Sequence, residues 1–94
     1  VTVSGSPAPV LTANFTAVPV AGPSPLTVTF TDTSTGNPQF WNYQFGDGFS
    51  STAKNPSHTY RWPGNYTVTL TILKPDGSTL VRDTINRQNL ISVS

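Results

Sequence analysis

The feature that most constrains this chain is the run from Tyr66 to Ile72, where Tyr66, Val68, Leu70 and Ile72 alternate with Thr67, Thr69 and Thr71. A period of two belongs to an extended strand, with the apolar set on one face and the threonines on the other. The same pattern runs through Leu26-Thr27-Val28-Thr29-Phe30-Thr31. A shorter version in Ala13, Phe15 and Ala17 is broken by Pro19 to Pro25, as for an edge strand followed by a loop. Phe40 to Phe45 is the most aromatic stretch. Alternation there puts Trp41, Tyr43 and Phe45 on a core face and Phe40, Asn42 and Gln44 on the opposite one. Trp41, Tyr43 and Tyr66 are therefore expected to be mostly buried on one side of a shared core. No segment shows apolar residues at i, i+3, i+4 and i+7 among helix formers, so the prediction is all-β.

Turn chemistry separates these runs. Thr33 to Pro38, Asn55-Pro56 and Trp62-Pro63-Gly64 are breaks, and the two glycines of Gly46-Asp47-Gly48 allow the positive φ that a tight turn needs. Lys74-Pro75-Asp76-Gly77 predicts a hairpin turn, after which Leu80 to Ile85 begins apolar and Asn86 to Asn89 turns polar. Leu90, Ile91 and Val93 close the chain. About seven short strands spaced by Gly/Pro turns argue for a two-sheet antiparallel sandwich.

With 94 residues there is apolar surface for one core only. Residues 1–10 are Ser/Pro/Gly-rich and aperiodic and read as a linker, leaving 11–94 as one domain. Charged residues make up 10% of the chain and the net charge is +1, too weak a field to gather nucleic acid or anionic lipid. No apolar run approaches the roughly 20 residues that span a bilayer, so membrane insertion by this segment is not expected. The start lacks the basic-then-apolar layout of a signal peptide and reads as part of a longer chain. Cysteine is absent, which removes disulfides and thiolate metal sites. Abundant Thr, Ser, Asn, Gly and Pro suit an exported, extracellular or cell-surface protein. Asn14-Phe15-Thr16 and Asn65-Tyr66-Thr67 match the glycan acceptor pattern, a triplet that a Thr-rich chain also produces by chance.

Three segments occur together in order and spacing: Trp41 to Gly48, then Asn55-Pro56-Ser57-His58-Thr59-Tyr60, then Pro63-Gly64-Asn65-Tyr66-Thr67-Val68. They resemble the signature of the PKD (polycystic kidney disease) domain family over about Ala13 to Val93. In that signature a strand ends in Gly-Asp-Gly, an Asn-Pro-x-His-x-Tyr segment follows, and Pro-Gly-x-Tyr opens the next strand. Tyr43 and Gln44 depart from it, standing where Trp and Asp are usual, and the stretch after Gly77 is longer than typical. The resemblance implies an Ig-like sandwich without catalytic activity, of the kind found in archaeal surface-layer proteins and in bacterial extracellular enzymes. It implies a spacer, or a contact with neighbouring domains, other surface proteins or polysaccharide. It also gives Trp41, Tyr43, Phe45, Gly46, Asp47, Gly48, Pro56, His58, Tyr60, Gly64 and Tyr66 structural parts.

Candidate chemistry is sparse. Asp47 between two glycines fits a carboxylate that accepts nearby backbone N–H groups and fixes a strand end. His58 is the only histidine and is expected to be buried and hydrogen-bonded. No Gly-x-Ser-x-Gly elbow, paired-histidine motif or phosphate loop accompanies them, so no enzyme activity is expected. No cofactor is assigned. Calcium is the one left open, since some relatives bind it, but Asp32, Asp47, Asp76 and Asp83 fall on separate predicted turns and strands. Phe40, Phe49 and Trp62 fall outside the core pattern, which makes them candidates for one exposed partner-binding cluster.

Overall fold

The computed structural model describes residues 11–94, so the linker expected over residues 1–10 lies outside the described part. The alternating segments become strands of two sheets. One sheet holds β1 (Phe15–Val18), β3 (Leu26–Asp32) and β6 (Ser57–Tyr60) in the antiparallel order β1-β3-β6. The other holds β2 (Ala21–Gly22), β4 (Phe40–Gln44), β5 (Ser50–Ser51), β7 (Gly64–Asp76) and β8 (Thr79–Val93) in the order β2-β8-β7-β4-β5. This is the all-β, Ig-like two-sheet sandwich anticipated, with eight strands once the two-residue β2 and β5 are counted. The β2–β8 pair is parallel, because the chain leaves the first sheet after Val18 and reaches the second beside the last strand.

The core forms where the apolar faces meet. Phe15, Val28 and Phe30 from one sheet and Tyr43, Val68, Leu70, Ile72 and Ile91 from the other are fully buried. Most of the core rings meet edge-on or tilted, with Phe15–Tyr43 centroids 5.8 Å apart at 81° and Phe30–Phe45 5.1 Å apart at 36°, while Tyr43 and Phe45 lie nearly parallel at 14°. Trp41 and Tyr66 are partly buried against this cluster, on the side expected for them. Threonines of neighbouring strands meet on the outer faces, as in Thr27–Thr59 at 2.9 Å and Thr71–Thr84 at 3.1 Å between hydroxyl oxygens.

One expectation about the last hairpin is corrected. Lys74-Pro75-Asp76 is not the turn: β7 runs through it, and the chain reverses at Gly77, with φ +65°, and Ser78. β8 continues through the polar stretch Asn86 to Asn89. Pairing slips there, from Val68↔Arg87 to Tyr66↔Ile91, and β8 absorbs the extra residues in a bulge. Asn89 adopts φ +52° in that bulge, and its N–H donates to the Thr67 hydroxyl at 3.1 Å.

The strands share one long axis, giving a body of 55 × 19 × 16 Å. Leu11 and Thr12 enter at one pole, where Thr12 N–H donates to the Thr35 carbonyl at 3.1 Å. Ser94 lies at the other pole, its carbonyl accepting from Ser24 N–H at 2.9 Å. At the entry pole the β7–β8 hairpin outruns its neighbours. β4 stops at Phe40↔Leu73, whereas β7 and β8 stay paired to Asp76↔Thr79.

Candidate functional site

The Gly46-Asp47-Gly48 turn is built against the start of β7. Gly46 has φ +88°, and a Cβ on it would sit 2.4 Å from the Thr67 carbonyl oxygen, so only glycine fits. The Phe45 N–H closes the loop onto the Phe49 carbonyl at 3.1 Å. This aims Asp47 inward. Its Oδ1 accepts from Phe49 N–H at 3.2 Å, as anticipated for a turn carboxylate, and its Oδ2 lies 2.6 Å from His58 Nε2. The pairing with His58 was invisible in the sequence because Asp47 comes from the loop after β4 of one sheet and His58 from β6 of the other.

His58 is held as tightly by rings as by Asp47. It stacks on Phe45 at 4.3 Å with 5° between planes and meets the edge of Tyr60 at 4.7 Å. Both side chains of the Asp47–His58 pair are 14% exposed, so the histidine is bonded as expected but still reaches the surface. Tyr60 is fully buried and its hydroxyl donates to the Phe45 carbonyl at 2.8 Å. Burial, and secondarily the negative charge of Asp47, pushes the Tyr60 phenol far above its ordinary pKa. Tyr43 is shifted upward for the same first reason, with Asp32 adding to it, while its hydroxyl donates to the Lys54 carbonyl at 3.0 Å. Pro56 is also buried, its carbonyl accepting from Phe30 N–H at 2.8 Å. Of the family-motif residues Trp41, Tyr43, Phe45, Gly46, Asp47, Gly48, Pro56, His58, Tyr60, Gly64 and Tyr66, the structure brings Phe45, Asp47, His58 and Tyr60 together in one network between the sheets.

The exposed aromatics do not form one cluster. Phe49 and Trp62, 65% and 73% exposed, flank a groove lined also by Asp47, His58, Thr59 and Arg61. The Tyr66 hydroxyl fixes the Trp62 turn by donating to its carbonyl at 2.6 Å. Phe40 is not part of that groove. It opens β4 four residues before the strand's other end, roughly 13 Å away along the strand. There it lies opposite Leu73, on the face that also carries Pro75 and Leu80. Parity flagged Phe40, but only strand register shows that Leu73 lies beside it, with Arg82 next across on β8 and Pro75 and Leu80 in the following row.

A second, polar cleft is lined by Asp32, Asn37, Trp41, Lys54 and Lys74 among others. Lys54 Nζ lies 5.6 Å from the Trp41 ring centre, a cation–π approach, while the buried Trp41 Nε1–H has no hydrogen-bond partner. No His, Cys, Asp or Glu side chains gather in threes among the described residues. Asp32 accepts from Ser34 N–H and Asp83 from Ala13 N–H, so these carboxylates, like Asp47, serve the backbone around them. No hydroxyl among the described residues is hydrogen-bonded to His58, and the Asp47–His58 pair acts as a clasp between sheets.

The PKD domain model matches residues 6–88. The chain belongs to the PKD domain family. The fold is similar to the crystal structure of the PKD1 domain from Vibrio cholerae metalloprotease PrtV, with a TM-score of 0.61 and 28% identity, over 83% of this chain and 96% of that one. It is also similar to a Methanosarcina mazei protein solved by solution NMR, with a TM-score of 0.59 and 30% identity, over 93% of this chain and 57% of that one. No curated protein sequence matches the chain. PKD domains are generally non-catalytic modules, typically of extracellular multidomain proteins. Among the described residues this PKD domain has no helix long and apolar enough to cross a membrane.

Proposed function

We propose that this PKD domain is a non-catalytic spacer in a multidomain cell-surface protein of the surface-layer kind, making contacts with neighbouring domains, other surface proteins or polysaccharide. The observation that supports it most is the placement of Thr12 and Ser94 at opposite ends of the paired sheets, the β7–β8 hairpin reaching on past Thr12 to complete a body 55 Å long and 19 Å wide. A chain that enters at one pole and leaves at the other sets a fixed distance between whatever it joins, and β8 runs most of that distance in one piece. A Thr/Ser/Asn-rich surface with net charge +1 suits such a setting in an archaeal or bacterial envelope and offers nothing to nucleic acid. The role needs no cofactor.

The test uses the absence of cysteine. Thr12→Cys and Ser94→Cys carry spin labels, and pulsed electron resonance should give one narrow distance on the order of 35 Å, from the strand rise between them. A broad distribution reaching well below that value refutes a rigid spacer. A second reading, a carbohydrate- or protein-binding accessory module of a secreted hydrolase, is favoured by the exposed Phe49 and Trp62 across one groove. NMR titration with soluble polysaccharides should then shift Phe49, Arg61 and Trp62 together, and an unchanged spectrum rejects it.

A further inference from the structure

The sandwich opens where β7 outruns β4. The parity that sends Val68, Leu70 and Ile72 into the core puts Lys74, two residues on, on the same face of the strand. β4 ends opposite Leu73, and Lys74 lines the polar cleft with Asp32, Trp41 and Lys54 instead of entering the core. Lys74 is half-buried there. Lys54 arrives from the loop after β5, its Nζ 5.6 Å from the Trp41 ring centre. The remaining wall is the turn of residues 34–39, anchored by the Gln39 N–H, which donates to the Leu73 carbonyl at 2.8 Å. At about 730 Å³ the cleft has the size of a ligand site.

Charge in this cleft is out of balance. Two ammonium groups stand against one carboxylate, and that carboxylate is engaged, Asp32 Oδ1 accepting from Ser34 N–H at 3.1 Å. The Asp47–His58 contact is the only ion pair among the described residues, so neither Lys54 nor Lys74 has an acidic partner there. The Trp41 Nε1–H, buried in the same wall, has no acceptor either. A cleft with donors in excess is suited to an anion.

We infer that this cleft binds an acidic polysaccharide, the carboxylate of a uronate unit lying between Lys54 and Lys74 and the sugar hydroxyls against the turn of residues 34–39. The inference rests on the reading of this domain as a surface module that contacts polysaccharide. The lining selects a saccharide over an acidic peptide. Apart from Pro38 and Trp41 it is polar, and Ser34, Thr35, Asn37 and Gln39 carry hydroxyls and amides that both donate and accept, as sugar hydroxyls do. A peptide takes most of its affinity from apolar anchors, and here the Trp41 face is occupied by Lys54. The groove between Phe49 and Trp62 shares no lining residue with this cleft and is a separate surface.

The experiment titrates the isotope-labelled chain at low ionic strength with an oligogalacturonate, with a neutral oligogalactose of the same length and with an oligoaspartate of the same charge. The oligogalacturonate should shift the amides of Thr35, Gly36, Asn37 and Gln39, the Trp41 indole N–H and the side-chain methylenes of Lys54 and Lys74, and leave Phe49 and Trp62 in place. The neutral oligomer should move none of them. Lys54→Gln and Lys74→Gln should each weaken binding about fivefold, and more together, with melting temperatures close to the parent's. Arg82→Gln removes an exposed cation outside the cleft, across from Leu73, and should leave binding unchanged. Equal losses from all three variants would mean diffuse attraction to net charge and overturn the site, as would an oligogalacturonate titration without shifts in the cleft. Oligoaspartate binding as tightly overturns the saccharide assignment. If both sugars shift Phe49, Arg61 and Trp62 instead, the polysaccharide reading survives at that groove without this cleft, whereas no response to either removes both.

Discussion

Gly46→Ala and Gly48→Ala look alike in sequence and should differ sharply in stability. Both glycines have a φ that side-chain-bearing residues rarely adopt, +88° and +95°. Each substitution therefore carries a conformational penalty of about 1–2 kcal/mol. At Gly48 nothing lies within 4 Å of the new methyl, and the penalty ends there. At Gly46 the methyl would sit 2.4 Å from the Thr67 carbonyl oxygen and 3.0 Å from its nitrogen, and neither backbone atom can turn aside as a side chain can. Separating them moves the Phe45–Phe49 loop off β7. That stretches the Tyr60 hydroxyl bond to the Phe45 carbonyl and the Asp47–His58 contact together. Overpacking of this kind costs about 1–3 kcal/mol more, so Gly46→Ala should destabilise by about 2–5 kcal/mol. For a domain of this size the gap between the two variants should be on the order of 10 °C in Tm, read by thermal circular dichroism and checked by urea unfolding. Equal melting temperatures would refute the reasoning, because they would mean that the loop does not press on Thr67.

Tyr60→Phe should cost about 1–2 kcal/mol in urea unfolding, since the buried Phe45 carbonyl loses its donor. The raised pKa of Tyr43 and Tyr60 has a definite sign: in the unfolded chain they ionise near pH 10, in the folded chain only well above it. The unfolded state then holds fewer protons, so stability should fall as pH rises beyond about 10. Tyrosinate absorbance of these two residues should appear with unfolding, and Tyr43→Phe should flatten the alkaline decline; absorbance preceding unfolding would contradict it. Trp41→Phe should be nearly neutral, within about 1 kcal/mol, because it removes an indole N–H that is buried without a partner while keeping a ring against the core. A loss like that of a core truncation, several kcal/mol in the same urea assay, would show that this N–H is satisfied in solution.

Much of this domain was determined by its sequence alone, because strand alternation is a local property. Val28, Phe30, Tyr43, Val68, Leu70 and Ile72 could be assigned to the core one by one, since each side chain's face follows from its parity within its own strand. The turn role of Asp47 was legible for the same reason, its glycine neighbours and the Phe49 N–H being adjacent in the chain. Where local cues misled, backbone pairing outweighed composition. Lys74-Pro75-Asp76 looks like a turn, but a long antiparallel partner holds the stretch in a strand.

The tertiary structure alone decided what required two distant segments to meet. His58 found Asp47 because the loop after β4 in one sheet folds over β6 of the other, an 11-residue separation that no periodicity encodes. Phe40, Phe49 and Trp62 share exposure but not location, since parity says which way a side chain faces and not which strand lies beside it. Register between β4, β7 and β8 placed Phe40 with Leu73 and Arg82, and Pro75 with Leu80, at the entry pole, and the Trp62 turn at the other. The face of a residue is a local consequence of extended backbone geometry; its neighbours are a global consequence of how the strands are ordered.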